Sequence, residues 1–299
     1  MVDLNLNNNW KWIALSVALV TVALSITFNF QWIENHITNI IQKPDKPPKP
    51  IPIPDDDTQP EPTPTPVEQD KNIIMVGDVS GSTVYNAIKK ENADWVVVLG
   101  DWYGKQSWLE SSYGSLGNKF ACVVGNHEAA NEDGSSSLEK AALKLCGNDY
   151  YVIINHVLFV GLNSNGDLKG QAAKLDKLIT TDFLKDITSV HIMTHKPCKV
   201  PPNSHHGVEI STFCKDIASI FSKFQQKIFY NSGHNHVMSS SADGTYKQTG
   251  AGGKSHYTCG TNTEFTFCNN KNYGYLKYTI KEDGTTTWAF YDTNGEIVK

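Results

Sequence analysis

The 299-residue sequence has no excess of positive charge, since its formal net charge is −5 and its pI is about 6.0. Proteins that hold nucleic acid through its phosphates need a basic surface, so no nucleic-acid footprint is expected. The sequence also has no internal repeats. The glycine-rich run at residues 250–254 (GAGGK) lacks the spacing of a Walker phosphate loop.

None of the six cysteines occurs in the CxxC spacing of a zinc site. An even number of cysteines is typical of disulfides formed in an oxidising compartment. The simplest pairing joins neighbours in the sequence, although many other pairings are possible and six buried thiols are the alternative. The expected pairs are Cys122 with Cys146, Cys198 with Cys214, and Cys259 with Cys268.

The N-terminal part of the chain predicts a membrane anchor at residues 10–33, after a short tail at residues 1–9. Residues 12–30 are almost entirely apolar, and a run of roughly 20 such residues can cross a bilayer. Trp10, Trp12 and Trp32 flank this run as interfacial aromatic residues do. The alternative is a cleaved signal peptide with its small-residue site near residues 23–25. The lysines around the run weakly favour the opposite orientation, whereas the cysteines favour a C-terminal domain outside the cytoplasm.

Residues 34–70 predict a linker, which is rich in proline from residue 43 to residue 69. Proline at this density favours extended polyproline geometry over helix or sheet. Such a segment acts as a semi-rigid stalk, and a ligand for a proline-recognition domain is the alternative. Residues 71–299 are then expected to form one folded domain.

Short apolar runs follow the linker, and their β-branched and aromatic content predicts strands that are buried on both faces. The runs cover residues 73–76, 95–99, 121–124, 151–154, 157–162, 190–193 and 228–230. Helical patterns lie between several of them, at residues 83–90, 137–145, 171–184 and 217–224. Two further strands, 275–281 and 286–292, flank a Glu-Asp-Gly turn. This alternation of strand and helix predicts an α/β domain.

Five of the predicted strands are followed by side chains of the kinds that bind metals. The carboxyl ends of the strands in an open α/β sheet share one edge, where ligands bind. Glycines beside these residues permit the sharp turns by which the chain leaves each strand. Carboxylate, amide and imidazole groups suit Mn, Fe or Zn, and the set is larger than one ion needs. We therefore expect a two-metal site among Asp78, Asp101, Asn126, His127, His195, His234 and His236.

In chain order these residues form a recognisable series of blocks. The blocks are Asp78-Val79-Ser80, Gly100-Asp101, Gly125-Asn126-His127-Glu128, His195 and Gly233-His234-Asn235-His236. The series resembles the calcineurin-like metallophosphoesterase superfamily, over about residues 73–236. The resemblance implies a four-layer α/β/β/α sandwich. It also implies a dinuclear-metal phosphoester hydrolase, either a phosphatase or a phosphodiesterase.

The resemblance assigns the metal ligands residue by residue. Asp101 would bridge the two ions. The first ion would be held by Asp78 and His236, and the second by Asn126, His195 and His234.

The same resemblance assigns the catalytic roles. A hydroxide that bridges the two ions would attack phosphorus in line with the leaving group. His127 would assist the leaving group as a general acid, and Glu128 would orient the site. Asn126 and His127 would contact the substrate.

One position departs from the pattern of the superfamily, because Ser80 stands where its first block has a histidine. The purple acid phosphatase branch also lacks that histidine and supplies a tyrosine after the second block, and it shares the Gly-Asn-His-Glu sequence. Tyr103 is the matching candidate ligand here, although it is one position closer to the aspartate than in that branch. The alternative for Tyr103 is packing, or stacking on the substrate beside Trp102.

His205 and His206 are candidate contacts for the phosphate or the leaving group, with an ordinary surface loop as the alternative. The expected substrate is a small phosphoester, and a single anchor is compatible with a monomer or a dimer. The alternative function is a catalytically degenerate surface protein that binds metal or phosphate without turnover. The serine at position 80 motivates this alternative.

Overall fold

The computed structural model describes residues 69–103, 105–129 and 137–299. The predicted tail, the anchor and nearly all of the linker lie outside the described residues. Within the described part, no helix is both long and apolar enough to span a membrane.

The described residues form twelve strands and six α-helices. The strands are β1 (Lys71–Val76), β2 (Trp95–Leu99), β3 (Phe120–Val123), β4 (Asp149–Ile154), β5 (Val157–Leu162), β6 (Ser189–Met193), β7 (Lys227–Ser232), β8 (Met238–Ser241), β9 (Tyr246–Thr249), β10 (Phe265–Asn269), β11 (Gly274–Ile280) and β12 (Thr286–Asp292). The helices are α1 (Thr83–Lys90), α2 (Gln106–Ser111), α3 (Ser137–Cys146), α4 (Leu168–Leu178), α5 (Thr181–Leu184) and α6 (Ser211–Phe221). A 3₁₀ segment, Tyr113–Lys119, follows α2.

The strands form two mixed sheets. The first has the order β12-β11-β1-β2-β3, in which β1, β2 and β3 are parallel and the C-terminal hairpin of β11 and β12 is antiparallel. The second has the order β10-β8-β9-β7-β6-β5-β4, with β5, β6, β7 and β9 parallel. In each sheet the parallel strands are the ones that carry the predicted ligands.

Alternate residues of β1 belong to different apolar clusters, which shows how the layers are stacked. Ile73 and Met75 lie in a cluster shared by both sheets, whereas Ile74 and Val76 lie in a cluster shared with α1. A third cluster joins the second sheet to α4 and α6. Strands buried on both faces in this way need continuous apolar runs, which is why such runs were enough to predict them. The predicted α/β fold is confirmed, with helices outside two facing sheets.

The structure differs from the sequence prediction in several elements. The helix expected at residues 171–184 is two helices, α4 and α5, because Thr180 adopts an extended conformation and caps α5 by accepting a hydrogen bond from Phe183 N (3.1 Å). The helix expected at residues 217–224 begins and ends earlier, as α6. Three strands were missed: β8, β9 and β10. The sequences of β8 and β9 are polar, yet β8 is buried throughout because strands flank it on both sides.

The three expected disulfides are confirmed. Cys122–Cys146 ties β3 to the end of α3. Cys198–Cys214 ties the loop after β6 to α6, and Cys259–Cys268 ties the last long loop to β10. No free cysteine occurs among the described residues.

Candidate metal centre

The predicted ligands follow the carboxyl ends of parallel strands in both sheets. Asp78 follows β1 and Asp101 follows β2, while His195 follows β6 in the other sheet. Within each sheet, backbone hydrogen bonds join neighbouring loops, from Asp78 N to Gly100 O (2.9 Å) and from Gly233 N to His195 O (3.0 Å). Between the sheets, the backbone N–H of His234 donates to Asp78 Oδ2 (2.8 Å). The two sheets therefore deliver their ligands to one shared edge.

Several site residues adopt a backbone conformation that side chains rarely tolerate. The φ angles are 57° at Asp78, 56° at Asp101, 56° at Tyr103 and 72° at His234, all in the left-handed region. Such strain persists only where the surroundings enforce it, and it tends to occur at functional sites. The ligands themselves, and not only the glycines beside them, thus take the sharp turns after the strands.

Gly125 and Gly233 were expected to permit sharp turns, but their φ angles are not positive. Their role is instead to let neighbouring groups approach the backbone closely. A Cβ atom on Gly233 would lie 2.8 Å from Asp78 Oδ2 and 2.8 Å from Leu99 O. A Cβ atom on Gly125 would collide with Asp101 Oδ1. Only glycine leaves room for the two aspartates. Glycine is therefore required at these positions, as expected, but to avoid a steric clash and not to permit a sharp turn.

Asn126, His195 and His234 place metal-binding atoms close together on one side of the centre. Nε2 of His195 lies 2.9 Å from Asn126 Oδ1 and 3.2 Å from Nδ1 of His234. The same nitrogen lies 3.4 Å from Asp101 Oδ2. Asp78, Asp101 and His195 each place one ligand atom within 4.8 Å of the other two, so they form a candidate metal site.

A second set of donors adjoins the first. Nε2 of His236 lies 3.3 Å from Asp78 Oδ1 and 2.8 Å from the hydroxyl of Tyr103. Asp78 Oδ1 is fully buried and receives no hydrogen bond, because Nδ1 of His236 donates to Ser255 O and its Nε2 then carries no proton. A buried carboxylate oxygen without a partner is costly in a protein, but it is what a metal ligand requires. The donor set therefore fits divalent or trivalent ions.

The outer nitrogen of each histidine is bonded to an acceptor. Nδ1 of His195 donates to Leu99 O (2.8 Å), and Nδ1 of His236 donates to Ser255 O (2.8 Å). Nε2 of His234 bonds to Glu209 Oε1 (2.9 Å). A carbonyl oxygen can only accept, so the inner nitrogens of His195 and His236 are the ones left to bind a cation.

The electrostatics of the centre favour a cation. Burial raises the pKa of Asp78 above its usual range. Burial would also raise the pKa of Asp101, but the charge and hydrogen bond of His195 lower it to about 2. Burial would lower the pKa of His195, but Asp101 and Asp78 raise it to about 9. Without an ion, a proton on His195 thus balances the carboxylates.

His127 and Glu128 occupy opposite environments. The His127 side chain is 51% exposed, its backbone N–H donates to Asp101 Oδ1 (3.0 Å), and its ring packs on that of Tyr103 with centroids 4.3 Å apart. Glu128 is buried and accepts hydrogen bonds from the backbone N–H groups of Asp101 and Trp102, both at 3.0 Å. Glu128 thereby fixes the loop that carries Asp101, while the His127 ring faces the open side.

The structure brings His205 and His206 to the rim of the centre. The His206 ring stacks on His234, with centroids 4.0 Å apart. The ring of His205 packs on Tyr257 (4.2 Å), which itself stacks on His236 (4.0 Å).

Sequence reasoning missed three residues of the rim: Glu209, Lys254 and Tyr257. All three lie in loops outside the motif blocks, where no spacing or strand end indicates them. The lysine ends the glycine-rich run at residues 250–254, which was compared only with a Walker phosphate loop, and the tyrosine follows it three positions later.

Comparison with known proteins agrees with this geometry. The family model of the calcineurin-like phosphoesterases matches residues 81–238, more than half of the chain. The chain belongs to the calcineurin-like phosphoesterase family. The resemblance inferred from the motif blocks is therefore confirmed. No curated protein matches the sequence significantly.

Solved structures of the same fold include two with TM-scores above 0.5. The purple acid phosphatase PPD1 from yellow lupin (Lupinus luteus) seeds has a TM-score of 0.59 at 13% identity, covering 78% of this chain and 53% of the lupin chain. GAP50, the anchor in the inner membrane complex of Plasmodium, has a TM-score of 0.54 at 13% identity, covering 77% of this chain and 87% of its own. At this identity the likeness concerns the fold, and this chain matches about half of the lupin enzyme.

Proposed function

We propose that this phosphoesterase-family chain is an active two-metal hydrolase of small phosphoesters. The observation that carries the proposal is that metal-binding atoms of Asn126, His195 and His234 lie close together. Asn126 Oδ1 and Nδ1 of His234 lie 2.9 and 3.2 Å from His195 Nε2, an arrangement that needs positive charge at the centre: a proton on His195 when no ion is bound, and a metal ion when one is. Divalent ions supply that charge and are held by these ligand types.

The geometry supports two adjoining ion positions. Asp78, His236 and Tyr103 would hold the first ion, and Asn126, His195 and His234 would hold the second. Asp101 lies between the two sets and would serve both. The Tyr103 hydroxyl is 2.8 Å from His236 Nε2, which supports Tyr103 as a ligand in place of the histidine that Ser80 replaces.

When bound, two Mn, Fe or Zn ions would lower the pKa of a water nucleophile and offset the negative charge of the phosphate. His127 extends from the loop after β3 into the open side, where its imidazole can give a proton to the leaving oxygen. Its backbone N–H donates to Asp101, which holds the main chain of His127 beside the ligand set. Asn126 and His127 would contact the phosphate from one side, and His205 and His206 from the other.

We also propose that residues 10–33 anchor the chain in a membrane and that the catalytic domain lies outside the cytoplasm. Three disulfides in the described domain support an oxidising compartment. Protease treatment of intact cells tests this placement. Release of the domain is expected, and protection of the domain until the membrane is permeabilised would contradict it.

The proposed activity is tested with the full-length chain, stripped by a chelator and reloaded with Mn, Zn or Fe. An aryl phosphate monoester and the corresponding diester serve as substrates. Metal-dependent turnover is expected, and Asp101→Asn and His127→Ala should each reduce it by orders of magnitude. The preferred ester then distinguishes a phosphatase from a phosphodiesterase.

A binding protein without turnover is the second candidate function. The absence of the usual histidine at Ser80 and the likeness to GAP50, described as an anchor, favour it. Two bound ions per chain with no hydrolysis of either ester would support this candidate and contradict the hydrolase.

A further inference from the structure

The three histidines of the centre are oriented in different ways. His195 and His236 donate from their outer nitrogens to backbone carbonyl oxygens, of Leu99 and Ser255 respectively. His234 instead bonds to the side chain of Glu209. Of these three orienting contacts, only the last can be removed by a substitution.

Glu209 occupies a defined position beside His234. It lies one residue before Ile210, the residue that precedes α6, in the loop closed by the Cys198–Cys214 disulfide. Its Oε1 atom lies 2.9 Å from His234 Nε2, and its Oε2 atom lies 2.9 Å from the ammonium of Lys196. Both carboxylate oxygens thus have a partner, and the side chain is 39% exposed.

A carboxylate in this position has two effects on the ring. An ionised carboxylate can only accept a hydrogen bond, so Glu209 places the proton of His234 on Nε2. The lone pair of His234 is then on Nδ1, which faces His195 at 3.2 Å. The carboxylate also makes the ring a more basic ligand, because the negative charge stabilises positive charge on the imidazole. A backbone carbonyl oxygen also fixes the tautomer, but because it carries no full charge it raises the basicity of the ring much less.

We propose that Glu209 is a positioning residue for the second metal ion, which it tightens by fixing the tautomer and basicity of His234. This inference rests on the proposed two-metal function. Lys196 completes the unit, because its ammonium holds the other oxygen of the carboxylate and prevents rotation of the group.

Direct ligation of an ion by Glu209 is the competing reading. His206, Glu209 and His234 each place a ligand atom within 4.8 Å of the other two. An ion there would need the oxygens that His234 and Lys196 already occupy, and it would lie beside the lysine ammonium. Positive charge at 2.9 Å from the carboxylate opposes a second cation, so the contacts favour the positioning role.

Calorimetric titration of Mn²⁺ into the stripped full-length chain tests the proposal, with the spin-coupled electron paramagnetic resonance signal of a Mn pair as a second readout. Glu209→Ala is expected to weaken the second ion about 10–100-fold and to leave the first unchanged. The coupled signal should then need correspondingly more Mn²⁺. Glu209→Gln should recover part of the affinity, because its amide oxygen can accept the same hydrogen bond without the charge.

Glu264→Ala is the matched control, since Glu264 also pairs with a lysine, Lys199, but contacts no histidine of the centre. It should bind both ions as the wild type does. Equal affinities for both ions in Glu209→Ala and wild type would overturn the proposal. A wild-type stoichiometry of three ions that falls to two in Glu209→Ala would overturn it in favour of direct ligation. Failure of the wild type to bind two ions would instead refute the underlying two-metal function.

Discussion

The hydroxyl of Tyr103 lies 2.8 Å from Nε2 of His236, although 133 positions separate the two residues. The same nitrogen lies 3.3 Å from Asp78 Oδ1. Three loops therefore bring phenol, imidazole and carboxylate together at the first proposed ion position. Burial, followed by the charges of Asp78 and Asp101, raises the pKa of Tyr103, so without an ion the phenol stays protonated.

Tyr103→Phe tests whether this phenol is a ligand. A phenolate bound to ferric iron absorbs visible light by charge transfer, so the iron-loaded wild type should be coloured and the variant should lose the band. Tyr257→Phe is the control, because Tyr257 stacks on the same histidine. A band that survives in Tyr103→Phe and disappears in Tyr257→Phe would assign the ligand to Tyr257 instead.

Gly233→Ala should disrupt the centre, because its Cβ atom would meet Asp78 Oδ2 and Leu99 O, both at 2.8 Å. One of these groups must move, and overpacking of this kind costs about 1–3 kcal/mol. We expect loss of tight metal binding together with a lower denaturation midpoint. Gly207→Ala is the matched control, since a Cβ atom there meets nothing within 4 Å and φ is not positive. Similar metal binding by both variants would contradict the close-approach interpretation.

Lys254→Met should weaken phosphate binding. The sequence contains no arginine, so no guanidinium can clamp the phosphate, and the ammonium of Lys254 lies 3.5 Å above the Tyr103 ring beside His127. We expect KM for a monoester, and the inhibition constant of inorganic phosphate, to rise about fivefold, equivalent to about 1 kcal/mol. Lys199→Met, which removes a comparable lysine over Tyr246, should change neither constant. An unchanged inhibition constant in Lys254→Met would exclude Lys254 from the phosphate site.

The contribution of Lys247 to the stability of the domain should increase from about pH 7 toward pH 10. Burial lowers the pKa of this lysine from 10.5 to about 7, so in that window the unfolded chain binds more protons than the folded one. Below the window both states are protonated and the dependence disappears. Phe229 and Trp288, each 4.6 Å from the ammonium, favour the charged form, so the gain is a few kcal/mol at most.

Urea denaturation of wild type and Lys247→Met over this pH range measures the effect. The unfolding free energy of the wild type minus that of Lys247→Met should increase as pH rises. A difference independent of pH would show that Lys247 stays charged in the folded state.

The Cys198–Cys214 disulfide should stabilise the loop that carries His205, His206 and Glu209. Its cysteines are 16 positions apart, and closing a loop of about this length contributes about 3 kcal/mol. We expect Cys198→Ser/Cys214→Ser to lower the unfolding free energy by about this amount. The hydrogen bond from Gly260 N to Pro202 O (2.7 Å) should keep part of the loop in place. An unchanged denaturation midpoint would contradict this role.

Local signals in the sequence were sufficient for the strands that carry the ligands. Strands such as β2 and β6 are buried on both faces, so their apolar runs stand out, and the polar residue that follows each run marks the sheet edge. The disulfide pairing was also found, because each pair joins neighbours in the sequence. Strands β8 and β9 were not found, because their serines, threonine and lysine are buried only through pairing with flanking strands.

The sequence by itself determined the family, the layered α/β class and the residues that follow the strand ends, because these depend on patterns within a few positions. Only the tertiary structure decided which nitrogen of each histidine faces inward, that Tyr103 reaches His236, and that Glu209, Lys254 and Tyr257 line the centre. These contacts join loops far apart in the chain. Their geometry depends on the packing of two sheets against each other, which no local pattern encodes.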